Sequence, residues 1–289
     1  MVELLLLNNH KYIMNKKYLS LLIIILFTCG TFVFGQKNLV ILHTNDTHSR
    51  IEPIPETDRV AGDKGGVIRR IKYIDQVREE NKNVLLFDTG DFLQGTPYFN
   101  LFKGEVEMEA MNLMRYDVVT LGNHEFDYGM DVLEKVVRRA KFPIISSNYD
   151  FSETQLNNLI KPYLILKKDG MKIGVIGINI QPQGLIASDN YKGMKFLDPL
   201  KTANNLAQKL KTTHKCDVII CLSHLGYMAD TKLASQTRNI DIIIGGHSHT
   251  NMKTPDILKN IDNKNVLIFQ TAGRGVYVGR IDVELKKVK

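Results

Sequence analysis

Side chains that can bind metal ions follow almost every apolar run of this sequence. They are carboxylates, an amide and imidazoles, and in chain order they are Asp46, His48, Asp91, Asn123, His124, His224, His247 and His249. In open α/β sheets, ligands bind beyond the carboxyl ends of the strands, which is where these residues would lie. A lone histidine at a strand end is usually structural, but five such ends together favour one shared site. The alternative is a polar network of the same residues that holds no metal.

The residue types favour a pair of metal ions. Two divalent cations about 3.5 to 4 Å apart repel each other and need an anionic ligand between them, and together they can hold the attacking and leaving oxygens of a displacement at phosphorus. We expect Asp91 to be this bridging ligand. Mixed nitrogen and oxygen ligands favour Mn, Fe, Co or Zn over Mg, but ligand type does not choose among these four metals. A water bound to such a metal can have its pKa lowered from 15.7 to about 7.

Short runs rich in Val, Ile and Leu must position these ligands. Runs that are apolar throughout are typical of strands buried on both faces. The runs lie at 39–43, 84–88, 118–121, 172–178, 218–223, 242–245 and 266–270. Asp169-Gly170 separates residues 164–167 from the fourth run and predicts a β-hairpin, and residues 277–285 alternate like a further strand.

Helical periodicity separates several of these runs. Apolar residues fall on one face of a 3.6-residue period within 67–77, 132–140 and 203–210. The pattern predicts an α/β fold with two packed, mixed β-sheets flanked by helices.

Composition and charge exclude several classes of protein. The 289 residues are 44% hydrophobic and 24% charged, which is ordinary for a globular chain and excludes disordered, collagenous and disulfide-scaffold proteins. The net charge of +7 is spread along the chain without a basic cluster or interleaved aromatic residues, so no nucleic-acid partner is expected. In an extended segment Cys216 and Cys221 would lie about 16 Å apart on opposite faces, so both should be buried free thiols.

The segment 19–33 is apolar and follows Lys16 and Lys17. It is typical of a secretory signal peptide, which we expect to be cleaved after Gly35. The alternatives are a retained membrane anchor, for which the segment is short, and lipidation at Cys29. We therefore predict export to the periplasm or cell envelope, with membrane attachment only if the segment is retained or lipidated.

The domain organisation follows from this segment. Residues 1–35 form the predicted signal region, and residues 36–289 form one catalytic domain because no internal repeat or linker divides them. Residues 1–13 should be dispensable, since Met14 would start a better signal than Met1 does.

At the ligand-bearing segments the sequence resembles the calcineurin-like metallophosphoesterases. Within them it resembles the catalytic domain of the bacterial periplasmic 5′-nucleotidase and UDP-sugar hydrolase family, over residues 39 to about 285. The motifs are HTNDTHSRIEP from His43, DTGDFLQGTP from Asp88, TLGNHEFDYG from Thr120, LSHLG from Leu222, GGHSHT from Gly245 and QTAGRGVYVGRIDVEL from Gln270. The resemblance implies a four-layer α-β-β-α sandwich.

The resemblance also implies a role for each site residue. One metal would be held by Asp46, His48, Asp91 and His249, and the other by Asp91, Asn123, His224 and His247. Asn123 and His124 would contact the substrate. His124 would face the phosphate rather than bind metal, and Asp127 would hold its orientation; the alternative for Asp127 is an ordinary acid before a helix. Gln94 and Thr96 are expected to be structural.

The expected function is that of an exported phosphoesterase with two divalent metal ions that hydrolyses phosphate monoesters, with nucleotides as the favoured substrates. The alternatives are a cyclic-nucleotide phosphodiesterase or broad phosphatase, and a non-catalytic binding subunit. Secreted members of the family usually carry a second domain that stacks the nucleoside base and supplies phosphate-binding arginines. Because the sequence stops at Lys289, we expect a separately encoded partner resembling that domain.

Overall fold

Two six-stranded β-sheets face each other in the computed structural model, which describes residues 2–6 and 37–287. The first sheet has parallel strands at its centre and antiparallel strands at one edge. Its order is β1 (Val2–Leu6), β14 (Gly279–Lys287), β2 (Lys37–Thr44), β3 (Val84–Asp88), β4 (Val118–Thr120) and β5 (Ile144–Ile145).

The second sheet has a parallel centre and an antiparallel strand at each edge. Its order is β12 (Asp256–Lys259), β13 (Asn265–Phe269), β11 (Ile242–Ile244), β10 (Val218–His224), β8 (Met171–Asn179) and β7 (Tyr163–Lys168). A separate two-stranded ribbon pairs β6 (Tyr149–Asp150) with β9 (Lys195–Phe196).

Helices cover the outer face of both sheets. They are α1 (Val67–Glu80), α2 (Pro97–Phe102), α3 (Glu105–Met114), α4 (Gly129–Arg139), α5 (Pro199–Thr212) and α6 (Tyr227–Gln236). One apolar cluster, with Phe87 and Ile220, fills the space between the sheets. A second, with Leu86 and Leu133, lies under α1, α3 and α4, and a third, with Ala207, lies under α5 and α6. This arrangement confirms the predicted α/β class with two packed mixed sheets between helices.

Most predicted elements lie within one or two residues of the observed ones. The hairpin is present, and both turn residues, Asp169 (φ 50°) and Gly170 (φ 68°), take the left-handed backbone that a tight hairpin turn requires. Cys216 and Cys221 are buried and free, as expected. The helices α2, α3 and α6 and the strands β5, β6, β9 and β12 were not predicted. In α6 the periodicity is interrupted by Asp230, which is fully buried.

The amino-terminal prediction stays untested. The apolar segment 19–33, with Cys29, and the cleavage position at Gly35 lie outside the described residues. Val2–Leu6 pairs antiparallel with β14 at the edge of the first sheet, which the sequence analysis did not foresee. Among the described residues, none of the helices has both the length and the apolarity needed to cross a membrane.

A close contact joins β2 to β14. His43 on β2 pairs in register with Gly279 on β14, and its imidazole lies over the position that a Cβ at residue 279 would occupy. Burial lowers the pKa of His43 to about 4, so the ring is neutral near pH 7. The absence of a side chain at residue 279 is therefore a packing requirement.

We predict that Gly279→Ala lowers the free energy of unfolding by about 1–3 kcal/mol, because the added methyl group overlaps the buried ring. Urea denaturation measures this cost. The control is the same substitution in a His43→Ala background, where the cost should largely disappear. Equal costs in the two backgrounds would show that the ring is not the obstacle.

Candidate metal centre

The predicted ligands meet where the carboxyl ends of the two sheets come together. Loops after β2, β3 and β4 carry those of the first sheet, while the end of β10 and the loop after β11 carry those of the second. In chain order these residues are Asp46, His48, Asp91, Asn123, His224, His247 and His249. Five of them line a cavity of about 430 Å³, together with His124. The other two, Asp46 and His224, are fully buried and do not line the cavity.

The first group of possible metal ligands is Asp46, His48 and His249. One ligand atom from each lies within 4.8 Å of the others. The Nε2 atoms of His48 and His249 are 2.9 Å apart, and Nε2 of His249 lies 3.4 Å from Oδ1 of Asp46. Three atoms with lone pairs thus converge on one point, which is the arrangement of a cation site.

The second group is Asp91, His224 and His247, with the same 4.8 Å spacing. Nδ1 of His224 donates to the carbonyl of Thr89 at 2.7 Å, so in the neutral ring it is Nε2 that carries the lone pair. That Nε2 atom is buried without a hydrogen-bond partner and lies 3.1 Å from Oδ2 of Asp91. Nδ1 of His247 lies 3.0 Å from Oδ1 of Asn123, which brings the amide to the same point.

The buried carboxylates of this group favour positive charge beside them. Burial opposes the charged form of His224, yet the carboxylates of Asp91 and Asp46 raise its pKa to about 10. Burial likewise opposes ionisation of Asp91, but His224, His124 and His48 hold the pKa of Asp91 well below its usual range. Together with the unpartnered Nε2 of His224, this demand fits divalent cations.

The ligand loops have an unusual backbone. Five of the predicted ligands have positive φ values between 47° and 68°, a region that non-glycine residues adopt at a cost on the order of 1–3 kcal/mol each. These residues are Asp46, His48, Asp91, His247 and His249. Contacts between the loops hold them there. The N–H of Asp46 donates to Gly90 O at 3.0 Å, that of His48 to Asp91 O at 2.9 Å, and that of His247 to Oδ1 of Asp46 at 2.9 Å.

Glu125 is a positioning residue that the sequence analysis missed. Its buried carboxylate accepts the backbone N–H groups of Asp91 and Phe92 at 2.9 Å, of Leu93 at 3.1 Å and of Gly122. It therefore ties the loop after β3 to the loop after β4. The sequence signal was only its place next to the candidates Asn123 and His124, which does not reveal an inward-facing acid.

His124 belongs to neither ligand group, although its ring lines the cavity. Nδ1 of His124 lies 3.0 Å from Oδ2 of Asp127, and this hydrogen bond is the main cause of its raised pKa. Asp127 precedes α4 and faces the imidazole. This contact leaves Nε2 of His124 without a hydrogen-bond partner within the described chain.

Gln94 and Thr96, which were both predicted to be structural, differ in their position relative to the cavity. Thr96 is buried, its Oγ1 lies 2.6 Å from Oγ of Ser49, and it does not line the metal cavity. Gln94 instead lines the cavity. Two arginines that were not predicted as site residues, Arg50 and Arg274, also line it. Arg50 follows the predicted ligand His48 by two residues, whereas Arg274 is brought to the cavity by a loop that is distant in sequence.

Comparison with known proteins agrees with this architecture. The sequence profile of the calcineurin-like phosphoesterases matches residues 39–251. A snake venom 5′-nucleotidase from Crotalus adamanteus is 34% identical over 272 residues, which cover 86% of this chain and 45% of that protein. The chain spans about half the length of the curated relatives it matches.

Two solved structures share the fold at useful identity. The 5′-nucleotidase precursor from Thermus thermophilus has a TM-score of 0.77 at 34% identity, over 85% of this chain and 51% of that chain. The NAD nucleotidase from Haemophilus influenzae has a TM-score of 0.80 at 32% identity, over 86% and 47%. The chain therefore belongs to the calcineurin-like phosphoesterase family, as the resemblance predicted, and with it to the hydrolases that act on ester bonds.

Proposed function

We propose that this chain hydrolyses phosphate monoesters, with nucleotides as substrates, at a centre of two divalent metal ions. The observation that carries the proposal is the pair of three-residue ligand groups beside one cavity. Each group combines a carboxylate with two imidazoles, which suits Mn, Zn, Co or Fe.

Asp91 is the proposed bridge between the two ions. It belongs to the second group, but its negative charge also acts on His48 and His249 of the first. The first ion would then be held by Asp46, His48, Asp91 and His249. The second would be held by Asp91, Asn123, His224 and His247.

The chemistry divides between the ions and the side chains. When bound, the two ions would supply Lewis acidity and an activated water nucleophile. His124, held by Asp127, would present Nε2–H to the phosphoryl oxygens and stabilise the negative charge that develops on them. Asn123 would contact the same phosphate. Glu125 and the left-handed ligand loops would keep these groups fixed during the reaction.

Two further parts of the proposal rest on other observations. The nucleotide substrate is supported by the 5′-nucleotidases among the relatives. Export to the periplasm or cell envelope is supported by the sequence of the segment 19–33, and residues 1–35 are the proposed signal region before the catalytic domain 36–289. Determination of the amino terminus of the exported chain tests the cleavage after Gly35.

We predict that Asp91→Asn abolishes turnover and lowers the metal content below two ions per chain. The amide keeps the size of the side chain but removes the anion that offsets repulsion between the cations. Phosphate-release kinetics and elemental analysis measure the two effects, with the exposed acid Asp189→Asn as the control. Two bound metals with near-normal kcat would show that Asp91 is not the bridge.

We predict a different result for His124→Ala. This variant should keep both metals and lose about 10² to 10³ in kcat, the scale for removing one preorganised donor. The same kinetic and elemental measurements apply. Loss of metal in this variant would make His124 a ligand instead.

The last prediction concerns the base. The residues that line the metal cavity include no aromatic side chain other than imidazoles, so this chain should recognise nucleotides through phosphate and metal contacts. A stacking platform contributes about 1–3 kcal/mol per base, and a further domain or a separate partner would have to supply it. We expect poor and nearly equal KM values for AMP, GMP and UMP when phosphate release is measured on the purified chain.

The same assay separates the alternatives. A strong preference for one base would place the contact within this chain, where Phe99 and Tyr128 line a hollow adjacent to the cavity. Conversion of cyclic nucleotides to nucleoside monophosphates, with no hydrolysis of monoesters, would favour the phosphodiesterase; chromatography of the products measures it, because this reaction releases no inorganic phosphate. No phosphate release from any monoester and no conversion of cyclic nucleotides, with Mn, Co, Zn and Mg each tested, would favour the non-catalytic binding protein.

A further inference from the structure

The side chain of Asn45 is buried beside the first ligand group and is fully hydrogen-bonded. Its Nδ2 donates to Oδ2 of Asp46 at 2.6 Å and to the carbonyl of Ala272. Its Oδ1 accepts the backbone N–H of Thr271 at 2.9 Å and the hydroxyl of Thr271 at 2.7 Å. An amide has two N–H donors and one oxygen with two lone pairs, so all of its groups are paired. A rotation of the amide by 180° would oppose donors to donors, and Asn45 therefore has one orientation.

This amide determines how the carboxylate of Asp46 faces the other ligands. Oδ2 of Asp46 accepts from Asn45, while the backbone N–H of His247 lies 2.9 Å from Oδ1 and 3.0 Å from Oδ2. Oδ1 lies 3.4 Å from Nε2 of His249 and 4.0 Å from Nε2 of His224. Oδ1 is therefore the oxygen that Asp46 presents to the imidazoles.

The loop after β13 connects Asn45 to the ligand loop of the second sheet. The N–H of Ala272, whose carbonyl accepts from Asn45, donates to the carbonyl of Thr250 at 2.9 Å. The N–H of Arg274 donates to the carbonyl of Asp46 at 2.6 Å. Ala272 (φ 57°) and Arg274 (φ 60°) have the left-handed backbone that non-glycine residues adopt only at a cost, so these contacts hold a strained loop in place.

Gln270, at the end of β13, makes the corresponding contacts with the second sheet. It is buried, and its Nε2 donates to the carbonyl of Gly246 at 2.7 Å. Its Oε1 accepts the hydroxyl of Ser248 at 3.0 Å and the backbone N–H of Thr250. These three positions alternate along the loop with its two histidine ligands. Gln270 therefore fixes a loop that carries one ligand of each group.

We propose that Asn45 and Gln270 are positioning residues for the metal centre. Asn45 would orient Asp46 for the first ion alone, whereas Gln270 would orient His247 and His249 and so act on both ions. Neither Asn45 nor Gln270 is among the residues that line the cavity, so both act through the ligands rather than on the substrate. This inference rests on the proposed function.

The test is a titration of the metal-free chain with Zn²⁺ in the presence of a competing chelating dye. Asn45→Ala should weaken the binding of one ion about 10- to 100-fold, the range for partners that hold metal ligands, and leave the other unchanged. Gln270→Ala should weaken both ions by a similar factor. No change in either ion, or equal weakening of both, in Asn45→Ala would overturn the role of Asn45. An effect of Gln270→Ala on fewer than two ions would overturn the role of Gln270.

A second pair of variants identifies the ion that Asn45 serves. His48→Ala removes a proposed ligand of the first ion. In that background Asn45→Ala should leave the affinity for the remaining ion unchanged, because the ion that it serves is already lost. A further loss of affinity there would place the effect of Asn45 on the second ion and overturn the assignment to Asp46.

Two controls separate positioning from general stability. Asn148 is a buried asparagine whose amide bonds the backbone of Asn179 at 2.7 and 2.8 Å, and Asn148→Ala should lower the free energy of unfolding without changing either Zn²⁺ affinity. Thr271→Val removes only the hydroxyl that Asn45 accepts, so it is the variant to use if Asn45→Ala does not fold. It should weaken the same single ion about 2- to 10-fold, the scale of one neutral hydrogen bond.

The titration also keeps this inference distinct from the proposed function. A wild-type chain that binds two Zn²⁺ ions but hydrolyses no ester would contradict the proposed function. The affinities of the Asn45 and Gln270 variants would still decide whether these residues position the ligands.

Discussion

Crowding of lone pairs and negative charge is the constraint on which this structure depends. Each ligand group holds three ligand atoms within 4.8 Å of one another. Both of the carboxylates, Asp46 and Asp91, are buried. Atoms of this kind repel one another without a cation between them. Rigid support is therefore needed, and the parallel strand ends provide it. Glu125 adds a tie between two of the loops, and hydrogen bonds from one ligand loop to the next hold the left-handed residues.

The two sheets contribute unequally to this centre. The first supplies both carboxylates, the amide and His48, while the second supplies His224, His247 and His249. Each ligand group contains residues from both sheets. The apolar layer between the sheets, which includes Phe87 and Ile220, therefore fixes the distance between the carboxylates and the imidazoles they face. Packing in the interior thus acts directly on the geometry of the site.

Much of this arrangement could be predicted from the sequence because the signals are local. A strand buried on both faces is apolar whatever lies beside it. Its carboxyl end lies at the edge where α/β sheets bind their ligands. The elements that were missed depend on tertiary contacts rather than on local periodicity. The buried Asp230 in α6 accepts a hydrogen bond from Ser223, and only that contact explains an acid on an inward face. Glu125 and Arg274 also take their positions from contacts with loops that are remote in sequence.

The contact between His247 and Asp46 joins residues 201 positions apart. Chains dominated by such distant pairings have high contact order and fold slowly, because the entropy of closing long loops is lost before the contacts form. Neither ligand group is complete until strands from both ends of the described chain have joined their sheets. A partly folded chain would hold only fragments such as Asp46 and His48. Metal binding at the two candidate groups would thus be a property of the finished topology, and it would report on the last steps of folding.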